Sequence, residues 1–533
     1  MTSELSRRQA VGALLGTVPF SAASRGNPRH ESAESRAQVA LRLRQSAALR
    51  QSRRPVAAMT ANGDESNVPN LAACFSKGLP QNQFGEVEPT TYNALLKAIA
   101  SGKHEDFESI HRGAGRKLND PESAFAFHFE GGDSHTFEMP PAPAISSAEA
   151  AREAEELYWQ ALCRDIRFAD YEKSPLIKQA AECLSSSPAT VFRGPTKGDT
   201  DGPYVSQFLL RPIPYGSGKI DQRYRVPLAG SDFMTTASEW SQIQLGIPPW
   251  REASYEGQPR YILNGRDLAE FVHYDYSFQA YLNAALILFD NGPHTILNCN
   301  PFRSFSNPYR SSRVQDGFVT FGQAEVMDWL GRVTTAALKA AYCQKWMVHR
   351  RLRPEELGGL VHQTKTGLRK YPVNPALLDS AAVNAVFTQT SSYVLPQAYP
   401  EGCPLHPSYP AGHAAIAGAC SVVLKACFEE SLLLPGSVIP TPDGHSLAPL
   451  PAYSPTVGDE VNKLAFNISM ARNWAGIHYR SDATAGLRLG EDVAISVLED
   501  LVCTYTETFK GFSFTRFDGS KIRITAQGGA VKV

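Results

Sequence analysis

The sequence has no surplus of either charge. Its 533 residues carry 52 Lys and Arg against 53 Asp and Glu, a formal net charge of -1. A nucleic-acid partner normally shows as a basic excess, so that class has no support here. Beyond the N-terminal leader there is no run of about 18 apolar residues, which excludes a helical membrane span. Cysteine is sparse and unpatterned: Cys74, Cys163, Cys183, Cys299, Cys343, Cys403, Cys420, Cys427 and Cys503 are odd in number and form no CxxC pair. Reduced, structural thiols are the expectation, with room for one isolated disulfide. No repeat and no clean interdomain linker is visible. The hydrophobic fraction of 43% is ordinary for a globular protein.

The periodic segments are helical. Apolar spacing predicts helices over 146–166, 265–290, 319–344, 376–390, 411–430, 458–475 and 481–503. Asn264-Gly265 reads as a helix start, with Asp267 and Glu270 near its positive end. Residues 185–262 are rich in Pro, Gly and Tyr, which predicts long ordered loops with a hairpin. Phe512 and Phe514, then Ile522 and Ile524, alternate about Asp518-Gly519 and predict a small terminal hairpin. Residues 1–65 read as a peripheral leader, helical over 36–50, and 66–533 as one helical domain. Ser6-Arg7-Arg8 before the mildly apolar run Ala10–Phe20 makes 1–23 either a weak twin-arginine export signal or a cytoplasmic leader.

Three clusters within 345–482 carry chemistry. In KWMVHRRLRP, Lys345, His349 and Arg353 are spaced by four and so can share one helical face. Lys345 offers a compact charge and Arg353 a fork of parallel donors, while Arg350 and Arg351 are expected to pair with Glu355 or Glu356. In HPSYPAGHA, Pro410 and Gly412 mark a turn into a helix whose first N–H groups can meet an anion, with His413 placed for proton transfer. In RNWAGIHYRSD, Asp482 stands four positions after His478 and can orient its imidazole, and Arg472 can bind the oxygens of the same anion. Together they predict an oxyanion cage of Lys345, Arg353, Gly412, His413, Arg472 and His478.

These three segments resemble the vanadium-dependent haloperoxidases, whose core is shared with type 2 acid phosphatases. The resemblance spans residues 200–503 and implies an all-α fold of haloperoxidase-like helical bundles with long loops. By motif position it implies that Lys345, Arg353 and Arg472 neutralise vanadate oxygens and that Gly412 gives a backbone N–H. His478 becomes the apical metal ligand, or the nucleophile forming phosphohistidine if phosphate takes the site. His413 becomes the acid–base group; His406 matches the extra histidine of the bromoperoxidases, and Ser408 and Asp482 support the cage. Family members of this kind often dimerise, so a homodimer is the expectation.

One position departs. The usual family pattern is S-G-H, and here it is Ala411-Gly412-His413. The lost hydroxyl is worth about 1.5–3 kcal/mol against a charged oxygen. Residues 220–337 also lack the lysine that chlorinating streptomycete relatives place near substrate. Both departures suggest a member repurposed as an isomerase that needs no vanadate. The expected reaction is an alpha-hydroxyketone rearrangement of a prenylated naphthoquinone-type meroterpenoid, with His413 as base. A vanadium-dependent chloro- or bromoperoxidase using peroxide and halide is the alternative, and an acid phosphatase a third.

Overall fold

The computed structural model describes residues 33–289 and 302–533; the expected export signal at 1–23 and Cys299 lie outside them. Two compact units emerge, one ending at Ser46 and one running from Ala47 to Val533. In the first, the described residues belong to the helix Ala33–Ser52, which continues into the second. All that follows concerns the second unit.

Several of its helices begin where polar side chains satisfy their first N–H groups. Helix α1 (Ala148–Cys163) is capped by Ser147, which accepts from Ala150 N–H. Asn264 caps α2 (Gly265–Phe271) by accepting from Asp267 N–H. Helices α3 (Gln323–Cys343), α4 (Pro354–Lys365) and α5 (Gly412–Cys427) follow. Helix α6 (Val457–Trp474) opens on a reciprocal Thr456–Asp459 capping box, and α7 (Arg480–Leu501) follows at once.

Helix α5 is the centre of the bundle and packs against α3, α6 and α7. Its first ten residues are mostly Gly, Ala, Ser and Cys, and everything from Ala414 to Ala426 is buried. This lets α7 come very close. A Cβ at Gly418 would fall on the Leu487 carbonyl, and one at Gly490 on the Ala415 carbonyl. That approach sets where the first turn of α5 stands relative to the first turn of α7, the two turns that carry Gly412 and Asp482.

The helical architecture is as expected, with three differences. The stretch 265–290 is not one helix: α2 stops at Phe271 and a second helix begins at Gln279, so Val272–Phe278 is a loop. Predicted helix 376–390 divides into Pro375–Leu378 and Ala381–Thr390, where Ser380 caps the second piece. The terminal hairpin β1 (Phe512–Thr515) and β2 (Lys521–Ile524) gains a third antiparallel strand, β3 (Ala530–Lys532). The loop-rich region carries its hairpin at Ile213–Tyr215 and Gly218–Ile220. Among the described residues no helix is long and apolar enough to cross a membrane, and the eight described cysteines are free.

The close approach makes a prediction. Gly490→Ala forces α5 and α7 apart and should cost about 1–3 kcal/mol of stability, read as a lower thermal midpoint. An unchanged midpoint would show that the helices have slack at this contact.

Candidate active site

The first cluster reaches the site by leaving helical geometry. After Cys343 the chain continues as a π-helical turn, Gln344–His349, and Arg350 then takes a left-handed conformation with φ 34°. Trp346 anchors the turn, fully buried and edge-on to Phe75 at 5.8 Å. Arg353 then precedes Pro354 at the head of α4, its N–H donating to Glu356 Oε2 at 2.6 Å. Lys345, His349 and Arg353 therefore do not share one helical face. His349 faces the Tyr409 ring edge-on at 4.7 Å, and neither of its ring nitrogens has a hydrogen-bond partner. Burial, then Arg351 and Arg350, push its pKa down to about 3. Arg350 pairs with Glu65 at 2.8 Å, and Arg351 with Glu153 and Asp482. The expected partners are committed elsewhere: Glu355 to buried Lys77 at 2.6 Å, and Glu356 to the Ser76 and Lys77 N–H groups.

Lys345 and Arg353 nevertheless converge, both fully buried. Lys345 Nζ donates to the carbonyls of Pro407 and Ser408 at 2.7 and 2.8 Å. Arg353 Nε donates to His406 O at 2.9 Å, and Nη1 to Ile477 O at 2.9 Å. The same Nη1 lies 2.9 Å from His478 Nε2. A guanidinium only donates, so Nε2 is the acceptor and His478 is neutral, with its proton on Nδ1. That Nδ1–H donates to Asp482 Oδ2 at 2.8 Å. Burial and then Arg353 hold the His478 pKa well below the usual histidine value. Burial alone would raise Asp482, yet Arg351 and His478 bring it below the ordinary carboxylate value. Ser408 Oγ and Tyr479 N–H, at 2.5 and 3.1 Å, complete its shell. His406 is held by Arg353 Nη2, 2.9 Å from Nδ1; burial and then Lys345 lower its pKa strongly.

Arg472, from the last turn of α6, donates through Nη1 to Val272 O at 2.9 Å. Its Nε is buried and has no partner. Burial and then Arg353 drive the Lys345 pKa well below its usual value. Arg472 adds to that repulsion, which places the third cation in the same field. Among the described residues, none of these three buried cations forms a salt bridge, and one guanidinium N–H is orphaned. A bound oxyanion supplies what such a set lacks.

Ala411 precedes α5 and gives it no side-chain cap; its own N–H donates to the Asp482 carbonyl at 3.0 Å. The N–H groups of Gly412 and His413 open the helix, where no intrahelical carbonyl can take them. His413 Nε2 is 3.0 Å from Asp275 Oδ1, and its side chain is a quarter exposed. An ionised carboxylate only accepts, so Nε2 carries the proton of this hydrogen bond. Asp275 sits on the Val272–Phe278 loop, inside a stretch that apolar spacing assigns to helix. The sequence signal missed was a polar His-Tyr-Asp-Tyr interruption of that run. The structure thus brings Lys345, Arg353, His406, Ser408, His478 and Asp482 into one bonded network. Arg472, Ala411 and Gly412 border it, and His413 turns toward Asp275.

Residues 387–505 match the family model of the VCPO second helical-bundle domain. The vanadium-dependent bromoperoxidase of Corallina pilulifera is 33% identical over 599 residues, covering 92% of this chain and 99% of that protein. That of Ascophyllum nodosum is 32% identical over 497 residues, covering 86% and 87%. The solved homohexameric second vanadate-dependent bromoperoxidase of Ascophyllum nodosum matches with a TM-score of 0.89 at 26% identity, covering 99% of this chain and 97% of its own. Two expectations fall. Full-length similarity to bromoperoxidases overturns the halogenation-independent isomerase acting on a meroterpenoid. The homohexameric relative overturns the homodimer. With a third of its residues identical along nearly its whole length, the chain belongs to the vanadium-dependent haloperoxidase family.

Proposed function

We propose that the chain is a vanadate-dependent bromoperoxidase that uses hydrogen peroxide to oxidise bromide. The observation that carries this reading is the neutral His478, its Nε2 lone pair turned toward Arg353 in a buried cluster that also holds Lys345. Asp482 fixes the tautomer and Arg351 fixes Asp482. Lys345, Arg353 and Arg472 match the charge of a vanadate trianion, and the Gly412 N–H adds a donor at a helix N-terminus. Bound vanadate supplies a Lewis-acidic vanadium(V) centre that activates peroxide toward halide. His413 Nδ1 takes a proton from incoming peroxide, while Asp275 stabilises the imidazolium so formed. Burial of the cations in a low-dielectric interior keeps the stabilisation of oxyanion charge strong. Neither the rearrangement nor a phosphatase is carried forward.

Purified protein supplied with vanadate, peroxide and bromide is expected to brominate monochlorodimedone, with activity lost on removing vanadate. Turnover indifferent to vanadate would sink this reading. His478→Ala should abolish vanadate retention after dialysis, measured by elemental analysis, since it removes the imidazole nitrogen that Asp482 orients toward the cage. Ala411→Ser, which restores one hydroxyl at the mouth of α5, should tighten vanadate binding by about 0.5–3 kcal/mol; unchanged affinity would mean that the hydroxyl does not reach the anion. A hexamer in solution would appear in light scattering at six times 58.2 kDa.

A further inference from the structure

The loop Val272–Phe278 supplies two separate groups to the site. Val272 gives its carbonyl to Arg472, and Asp275 gives its carboxylate to His413. Between them in sequence is His273, which faces away from both. Its Nε2 lies 2.6 Å from Glu401 Oε1, and its Nδ1 is 3.6 Å from Glu270 Oε2 at the end of α2. Its ring stacks on Tyr399, with centroids 3.8 Å apart and planes 6° from parallel. Tyr399 is itself pinned by donating its OH to Ala269 O, and the Arg472 guanidinium lies over its ring, 5.6 Å from the centroid.

We propose that His273 is a positioning residue: it latches the 272–278 loop to Glu270 and Glu401 and so sets where Asp275 and the Val272 carbonyl meet His413 and Arg472. This goes one step beyond the proposed bromoperoxidase reading and rests on it for the catalytic consequence. A loop of seven residues that breaks an otherwise apolar helical run has no ladder of its own to fix it. The latch provides the missing constraint through two carboxylates and an aromatic face. Neither Glu270 nor Glu401 touches the cage cations directly, so the latch acts through the loop.

The charges around His273 come from every side. Tyr274 and Asp275 share its loop, Glu270 closes α2, and Arg225 reaches Glu270 at 3.4 Å. From the facing segment come Glu401 and Tyr399, and Lys77 and Arg116 donate to the Glu401 carbonyl. Burial lowers the His273 pKa, but Glu270 and Glu401 outweigh it and the net direction is upward. The latch is therefore charged below the ordinary histidine value and loses its charge as pH rises through the raised folded value. Removing the Glu401 charge brings that loss to lower pH.

Two variants of the full chain test this, each by hydrogen exchange and by steady-state kinetics with vanadate, peroxide and bromide. His273→Gln should speed exchange in the peptide spanning 272–278 while leaving the thermal midpoint unchanged. The same variant should raise the peroxide KM about tenfold, with the bromide KM unchanged. Glu401→Gln should shift the alkaline limb of kcat/KM for peroxide to lower pH, and His273→Gln should remove that limb. Wild-type exchange at 272–278 in both variants, or faster exchange spread over the whole chain, would overturn the latch. Because exchange needs no turnover, a wild-type protein that fails to brominate would refute the functional reading and leave the latch separately judged.

Discussion

The Asp482 carboxylate is the point through which the rest of the site is organised. Three stretches of chain, separated by dozens of residues, each spend a donor on this one residue. Arg351 comes from the turn after α3, Ser408 from the segment before α5, and His478 and the Tyr479 N–H from the start of α7. Its backbone carbonyl takes the Ala411 N–H as well. A buried carboxylate without such partners would cost several kcal/mol. The cost is met only when all three clusters are docked together, so folding and site assembly are one event. Arg351, shared with Glu153, keeps the local charge close to balance on the protein side of His478.

On the other side of His478 the balance is broken. Lys345, Arg353 and Arg472 face inward with carbonyl oxygens as their main acceptors, and burial lowers the pKa of both Lys345 and Arg353. Such an arrangement is unfavourable for the isolated chain and favourable for a bound anion, because the same low polarity that penalises like charges strengthens their pull on an opposite one. An anion that binds only the folded state also stabilises it by mass action. The strain of gathering three cations is thus the source of affinity.

Much of this was legible in the residues. The helix start at Asn264 was read from its own side chain, which caps the helix, and the His478–Asp482 pair follows from a spacing of four at a helix start. The convergence of Lys345 and Arg353 was also legible, though by the wrong geometry. A four-residue spacing implies one face of a helix, whereas a π turn and a left-handed Arg350 carry the chain around the cage. Asp275 was hidden because the apolar residues on either side were read as one helix across the polar interruption His273–Tyr276. The partners of Arg350 and Arg351 were hidden for a different reason. Glu65 and Glu153 lie some 200 residues or more away along the chain, and only tertiary packing brings them near.

Ala411 shows how a single departure from a motif should be weighed. A hydroxyl at this position would act as a helix cap as well as a donor to an anion, and helix caps of that kind contribute about 1 kcal/mol. Without it, the first N–H groups of α5 have no side-chain acceptor and stay available to a negatively charged group. The methyl also suits its surroundings. Ala411 is fully buried, and a Cβ on Gly486 of α7 would come within 2.8 Å of its carbonyl oxygen. The helix start therefore gives up a cap of its own, and an anion at the same N–H groups can compensate through the helix dipole. On the proposed reading, one missing donor would change how tightly the cage holds an anion, while the three cations and the oriented imidazole would decide that it holds one.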